Sequence, residues 1–143
     1  MNHIYWLSAV LVVGANVAYH IGQKSIPAEV NPALSIIVTY VVALVLSLGL
    51  LPFFPVEGGL GAGLKGLNWA SAFVGLSIVG VEIGYLLFYR SGWSLSVGPI
   101  FSYLLVSLVL IGFGFLLFKE RLSVANYIGV GLAMVSIFLM TKA

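Results

Sequence analysis

The stretch Leu67-Asn-Trp-Ala-Ser-Ala-Phe-Val-Gly-Leu-Ser-Ile-Val-Gly-Val-Glu-Ile-Gly-Tyr-Leu-Leu-Phe-Tyr89 carries a single charged side chain, Glu82. At 1.5 Å per residue, a helix of this length rises about 34 Å and can cross about 30 Å of hydrocarbon. A transmembrane strand needs only about 10 residues and alternates lipid-facing with polar lumen-facing side chains. This run is about twice as long and apolar on all sides. It predicts a membrane-spanning helix with a carboxyl group about three positions past its middle.

Four more stretches read the same way: near Ile4 to Ile21, Ala33 to Phe54, Leu95 to Phe118 and Val124 to Met140. The composition agrees. Of 143 residues, 62 % are hydrophobic and 7 % charged, with a mean hydropathy of +1.18. A soluble domain carries about 25 % charged residues. The length suits one domain over residues 1–143 and leaves no room for a nucleotide-binding or catalytic module beside the spans. There is no cysteine, which excludes disulfides and thiolate metal sites. No basic patch suits nucleic acid. The expected fold is all-α and integral to the membrane, with five transmembrane helices.

The links between spans hold turn chemistry. Gly22 to Pro32 contains Lys24, Pro27, Glu29, Asn31 and Pro32. Pro55 to Gly66 is glycine-rich and the longest. The third is Arg90-Ser-Gly-Trp-Ser94 and the fourth Lys119-Glu-Arg-Leu-Ser123. Glycine and proline punctuate helices at such places. Ser94 and Ser123 are expected N-caps of the fourth and fifth segments. The first segment is expected to remain uncleaved: no Lys or Arg precedes it, and Asn16, Tyr19 and His20 interrupt its end.

Basic residues collect on the cytoplasmic side of a membrane protein. With five spans, one face would hold Lys65, Lys119 and Arg121, and the other Lys24, Arg90 and Lys142. Three against three gives no orientation. The tie fits a chain inserted both ways, and equally a chance result of having so few charges.

From Gly80 to Met140 the order of pieces resembles the closing half of an EamA-type domain of the drug/metabolite transporter superfamily. The pieces are an apolar helix ending near Tyr89, Gly98-Pro99 opening the next helix, the link Glu120-Arg-Leu-Ser123, and Ile128-Gly129 with a late apolar run. Segment number and spacing carry the resemblance over the earlier part. Full-length members hold two such units in opposite orientations around a central cavity. The resemblance therefore implies an antiparallel dimer of inverted five-helix units, formed with a second copy or with a related five-helix chain. It also implies a multi-pass protein of a prokaryotic inner membrane. The related small multidrug resistance proteins use four helices and an acidic residue in helix one. This chain has a fifth segment and no acidic residue in its first.

Glu82 is the sharpest candidate for function. All other charged residues lie in links or near segment ends. An unpaired carboxylate at this depth costs at least about 2.5–3.5 kcal/mol on insertion scales. It must face the protein, a wet cavity or a partner. It is a candidate proton- or substrate-binding group, or else a structural carboxyl hydrogen-bonded across helices. Tyr85 and Tyr89 follow at i+3 and i+7 on the same face. Tyr85 suits a cavity wall offering cation–π contact or the interfacial aromatic belt, and Tyr89 is expected in the belt. Arg90, about 12 Å along the helix from Glu82, is expected to mark the membrane interface.

On segment one, Asn16 and His20 share a face with Tyr19 adjacent. Asn16 is expected to join helices by hydrogen bonding. His20 is either wetted at the span end or part of a proton relay to Glu82. One His and one Glu make no metal site. On segment four, Tyr103 and Ser107 share a face and are cavity candidates with Ser102. For the two serines the favoured expectation is a hydroxyl bonding back to its own helix. Trp6, Trp69 and Trp93 read as interface anchors. Gly80 and Gly84 bracket Glu82 and are expected to let a neighbouring helix approach, as are Gly14, Ala18 and Gly22.

Three functions fit. The first is a secondary-transporter subunit moving small metabolites or amphipathic cations by alternating access, with Glu82, Tyr85, Asn16 and Tyr103 shaping the pocket and no cofactor required. The second is a subunit of a flippase for polyprenyl-linked lipid carriers, with Lys24 and Arg90 at the headgroup. The third is a non-transporting accessory protein. No Gly-x-x-x-x-Gly-Lys motif supports ATP use. No nucleophile, metal cluster or acid–base pair suggests an enzyme.

Overall fold

A computed structural model describes residues 3–119 and 121–140. Among them every regular element is a helix: α1 (His3–Ser25), α2 (Pro32–Leu50), α3 (Leu60–Lys65), α4 (Trp69–Arg90), α5 (Gly98–Phe118) and α6 (Val124–Met140). α1, α2, α4 and α5 are long and apolar enough to cross a membrane, the pattern of a multi-pass membrane protein. α6 is apolar but has 17 residues. It rises about 26 Å over the described residues, at the lower end of the range for a spanning helix. Glu120 of the resemblance and Lys142 of the charge tally lie outside the described residues.

Local chemistry explains most boundaries. Asn31 caps α2, its side-chain oxygen accepting from the N–H groups of Ala33 (2.9 Å) and Leu34 (3.3 Å), with Pro32 in the first turn. Such caps satisfy donors that have no partner inside the helix. Asn68 caps α4 through the Ala70 N–H at 2.9 Å. Ser123 meets its expected role, accepting from the Asn126 N–H at 3.3 Å. Ser94 does not cap α5. It accepts from the Val97 N–H at 3.1 Å in a turn, and the helix starts at Gly98 with Pro99 in its first turn. A proline there loses no helical hydrogen bond.

α2 stops at Leu50, four residues before the expected end at Phe54. Leu51 keeps helical backbone angles, but Pro52 has no N–H to donate back along the helix, and Pro55 follows. α1 runs four residues past the expected Ile21, to Ser25, and Pro27 follows it. The glycine-rich link holds the extra short helix α3, which the sequence reading does not include. Gly58 and Gly59 turn into it with φ of 75° and 81°, a region that side chains resist.

The described chain falls into two compact units, Met1–Ser91 and Gly92–Ala143. In the first, α4 packs against both α1 and α2. Arg90 at the end of α4 donates to the carbonyls of Pro27 (3.1 Å) and Val30 (2.7 Å), just past the end of α1. α1 and α4 therefore finish at the same edge, as the first and third of three successive crossings must. In the second unit, α5 packs against α6. Trp93 stacks on Phe101 with ring centroids 4.9 Å apart.

Both units expose large apolar side chains along their helices, as a lipid-facing surface requires. The expected packing role of Gly80 and Gly84 is not met inside the chain. A side chain added at either, or at Gly14 or Gly22, would touch nothing within 4 Å.

Candidate functional site

The polar residues of the first unit fall into two matching stripes. On α1, Asn16, Tyr19, His20 and Gln23 stand at i, i+3, i+4 and i+7. On α4, Glu82, Tyr85, Leu86 and Tyr89 repeat that spacing. This period places each set on one helix face. The lower part of the α1 stripe meets the α4 stripe along the α1–α4 seam. His20, Gln23, Glu82, Leu86 and Tyr89 are all buried there.

Gln23 is the link that the sequence reading missed. Its Nε2 donates to the Glu82 carboxylate and lies 3.4 Å from the Tyr19 hydroxyl. Its carbonyl oxygen, Oε1, is buried and has no hydrogen-bond partner. The miss has a physical cause. Gly22-Gln-Lys24 looks like a polar link, but α1 carries one more turn through it. The signal was present in the period, since Gln23 completes the spacing begun by Asn16, Tyr19 and His20.

His20 Nδ1 lies 3.0 Å from the Tyr89 hydroxyl. When Tyr89 donates, the imidazole carries its proton on Nε2; the other tautomer reverses the roles. The His20 ring also meets the Tyr85 ring edge-on at 4.8 Å, and Tyr19 meets Tyr85 at 5.7 Å. Lys24 Nζ sits 5.5 Å from the centre of the Tyr89 ring, a cation–π distance. Tyr89 is therefore 5 % exposed inside the seam and not in the aromatic belt. His20, also 5 % exposed, is buried and not wetted at a span end. Both follow from α1 extending far enough to cover the end of α4. Arg90, expected at the interface, ties the α1–α2 link to α4 through its two carbonyl bonds.

Glu82, Tyr85 and His20 are thus brought into one seam. Asn16, expected to join helices, donates from Nδ2 to the Val12 carbonyl of its own helix at 2.8 Å. Tyr103 belongs to the second unit, on α5, and is 40 % exposed. Its carbonyl accepts from the Ser107 hydroxyl at 2.7 Å, and Ser102 bonds back to the Pro99 carbonyl at 3.1 Å. His20 pairs with Tyr89, and Glu82 with Gln23. Among the described residues no three His, Asp or Glu side chains gather as a metal site.

Beside the seam, a groove of about 490 Å³ opens between α1, α2 and α4. Glu82 and Gln23 stand on one wall with Tyr19. Ile26, Val30, Leu34 and Val38 form the apolar remainder, with Ser35 and Thr39. The arrangement offers a carboxylate and an amide carbonyl at the edge of an apolar trough. It suits a small ligand with a positive head and an oily body.

No family model, curated protein or solved structure matches this chain.

Proposed function

We propose that this chain is one subunit of a secondary transporter that moves small metabolites or amphipathic cations by alternating access. The observation that carries the reading is Glu82. It lies deep within a spanning helix, is 6 % exposed, and borders a groove large enough for a small molecule. Its hydrogen-bond partner is the neutral Gln23 amide. Placing a carboxyl group there costs several kilocalories per mole, so intramembrane acids mark substrate or proton routes by default.

In this reading α6 completes a fifth span, and the unit pairs with an inverted copy or a related five-helix chain in a prokaryotic inner membrane. The charge tie and the EamA-like order of pieces support that arrangement. So do the glycine faces at Gly80 and Gly84, which no neighbour inside the chain uses. Rocking of inverted units about a midplane site is the established mode for such architectures. The lipid-carrier alternative has less support. Arg90 is engaged with the Pro27 and Val30 carbonyls, and Lys24 with the Tyr89 ring.

Reconstitution in liposomes tests the proposal. The native chain should show uptake driven by an ion gradient, and Glu82→Gln should lose it while assembling as before. Because the chain has no cysteine, single cysteines introduced near each end report orientation without background. One orientation only, with no oppositely oriented partner, would exclude the antiparallel pair.

A further inference from the structure

Gln23 uses only half of its hydrogen-bonding capacity. Its amide nitrogen serves Glu82 and faces the Tyr19 hydroxyl, whereas the carbonyl oxygen is buried without a donor. The residue is 6 % exposed. A buried carbonyl without a donor has lost its bond to water and gained none in return. The fold keeps this acceptor beside a carboxylate, and both side chains line the same groove. Its volume falls within the range of about 300–1,000 Å³ typical of small-molecule sites.

We propose that Gln23 and Glu82 form a two-acceptor head-group site that selects cations bearing N–H donors, primary alkylammonium ions, over quaternary ammonium ions. The proposal rests on the transporter reading and names its substrate class. A primary ammonium carries three N–H donors. One meets the Glu82 carboxylate and displaces the Gln23 amide nitrogen. The amide then turns about its terminal torsion, which is broad and nearly two-fold, and presents Oε1 to a second N–H. The alkyl tail lies against Ile26, Val30, Leu34 and Val38. A quaternary cation can neutralise Glu82 but leaves Oε1 without a donor. Sites that expect a donor reject ligands lacking one more strongly than apolar pockets reject a wrong shape.

The test titrates the full chain, in nanodiscs of zwitterionic phosphatidylcholine, with hexylammonium and with hexyltrimethylammonium. The equal tails cancel the apolar contribution. Calorimetry on the native protein should find hexylammonium tighter by about tenfold or more, the size of one charge-assisted hydrogen bond. Gln23→Met keeps the side-chain length and removes both polar atoms. It should bring the ratio of the two affinities to within about threefold. Equal affinities in the native protein overturn the proposal without any variant, as does a preference that survives Gln23→Met. In both cases the transporter reading stands. If neither cation binds saturably to the native protein, the head-group proposal falls, and the liposome uptake experiment decides the transporter reading separately.

Discussion

Along the α1–α4 seam, five side chains from two spanning helices are buried, and four of them are polar. In the α5–α6 pair, the buried residue among those described is Gly98. The hydroxyls of Ser102 and Ser107 return to carbonyls of their own helix. The small cavity of that unit, about 250 Å³, has Ser107 as its polar side chain among Leu110, Ile111, Phe115 and Leu122. Both regions are built mostly from the same apolar residues. What separates them is where a few polar groups point. In a bilayer an apolar side chain gains little by leaving lipid for protein, so packing and interhelical hydrogen bonds decide which helices hold together. The seam has both. The second pair returns the Ser102 and Ser107 hydroxyls to their own helix and exposes a large apolar surface.

The contrast is sharpest in activity. Glu82→Gln should lower gradient-driven uptake by about tenfold or more, whereas Ser107→Ala on α5 should change it by less than about twofold. Comparable losses from both would mean that the seam has no privileged part in transport. Stability comes next. Leu86 is 1 % exposed and Leu105 on α5 is 41 % exposed. Leu→Ala in a soluble core costs about 2–5 kcal/mol, part of it transfer from water. Lipid is as apolar as leucine, so the transfer part nearly vanishes. Leu86→Ala should then cost about 1–2 kcal/mol in lost packing, and Leu105→Ala less than about 0.5. Unfolding in mixed micelles compares them, and equal costs would erase the distinction between seam and surface.

A third effect belongs to the edge of the seam. Arg90→Gln removes charged donors from the Pro27 and Val30 carbonyls, which sit at an exposed end of the helices. The expected loss is about 1 kcal/mol, reduced from the buried value by solvent. Hydrogen exchange should rise in residues 26–31 and stay unchanged in α6. Protection unchanged in the link would show that Arg90 holds nothing there.

How far was this legible in the sequence? The spans were, because an apolar run of about 20 residues matches the thickness of a bilayer and exceeds what a small soluble core can bury. The importance of Glu82 was too, since a charge in the middle of such a run is conspicuous. Tyr85 and His20 followed from helical period. Gln23 did not, because hydropathy cannot tell the polar last turn of a helix from the link after it. Proline sets that boundary, and Pro27 comes two residues after Ser25. Tyr89 was misjudged for a related reason: residues at a span end face water only if no neighbouring helix covers them. Asn16 shows the opposite limit. Its spacing fits the stripe, yet a carbonyl one turn back on its own helix was a nearer partner.

The smallest effect offers the cleanest separation of the two regions. Tyr89→Phe removes only the hydroxyl that meets His20 and keeps the ring beneath Lys24. His20→Phe keeps a ring against Tyr85 and removes the nitrogen. Interhelical hydrogen bonds in membrane proteins average about 0.6 kcal/mol in double-mutant cycles. The pair should therefore show a coupling of about that size, with each single variant costing slightly more because its partner is left buried and unpaired. Tyr127 on α6 is 59 % exposed, and Tyr127→Phe should shift stability by no more than about 0.3 kcal/mol. A His20–Tyr89 coupling near zero would mean that this pair joins the helices through ring packing alone and leaves the polar joining of α1 to α4 to Gln23 and Glu82.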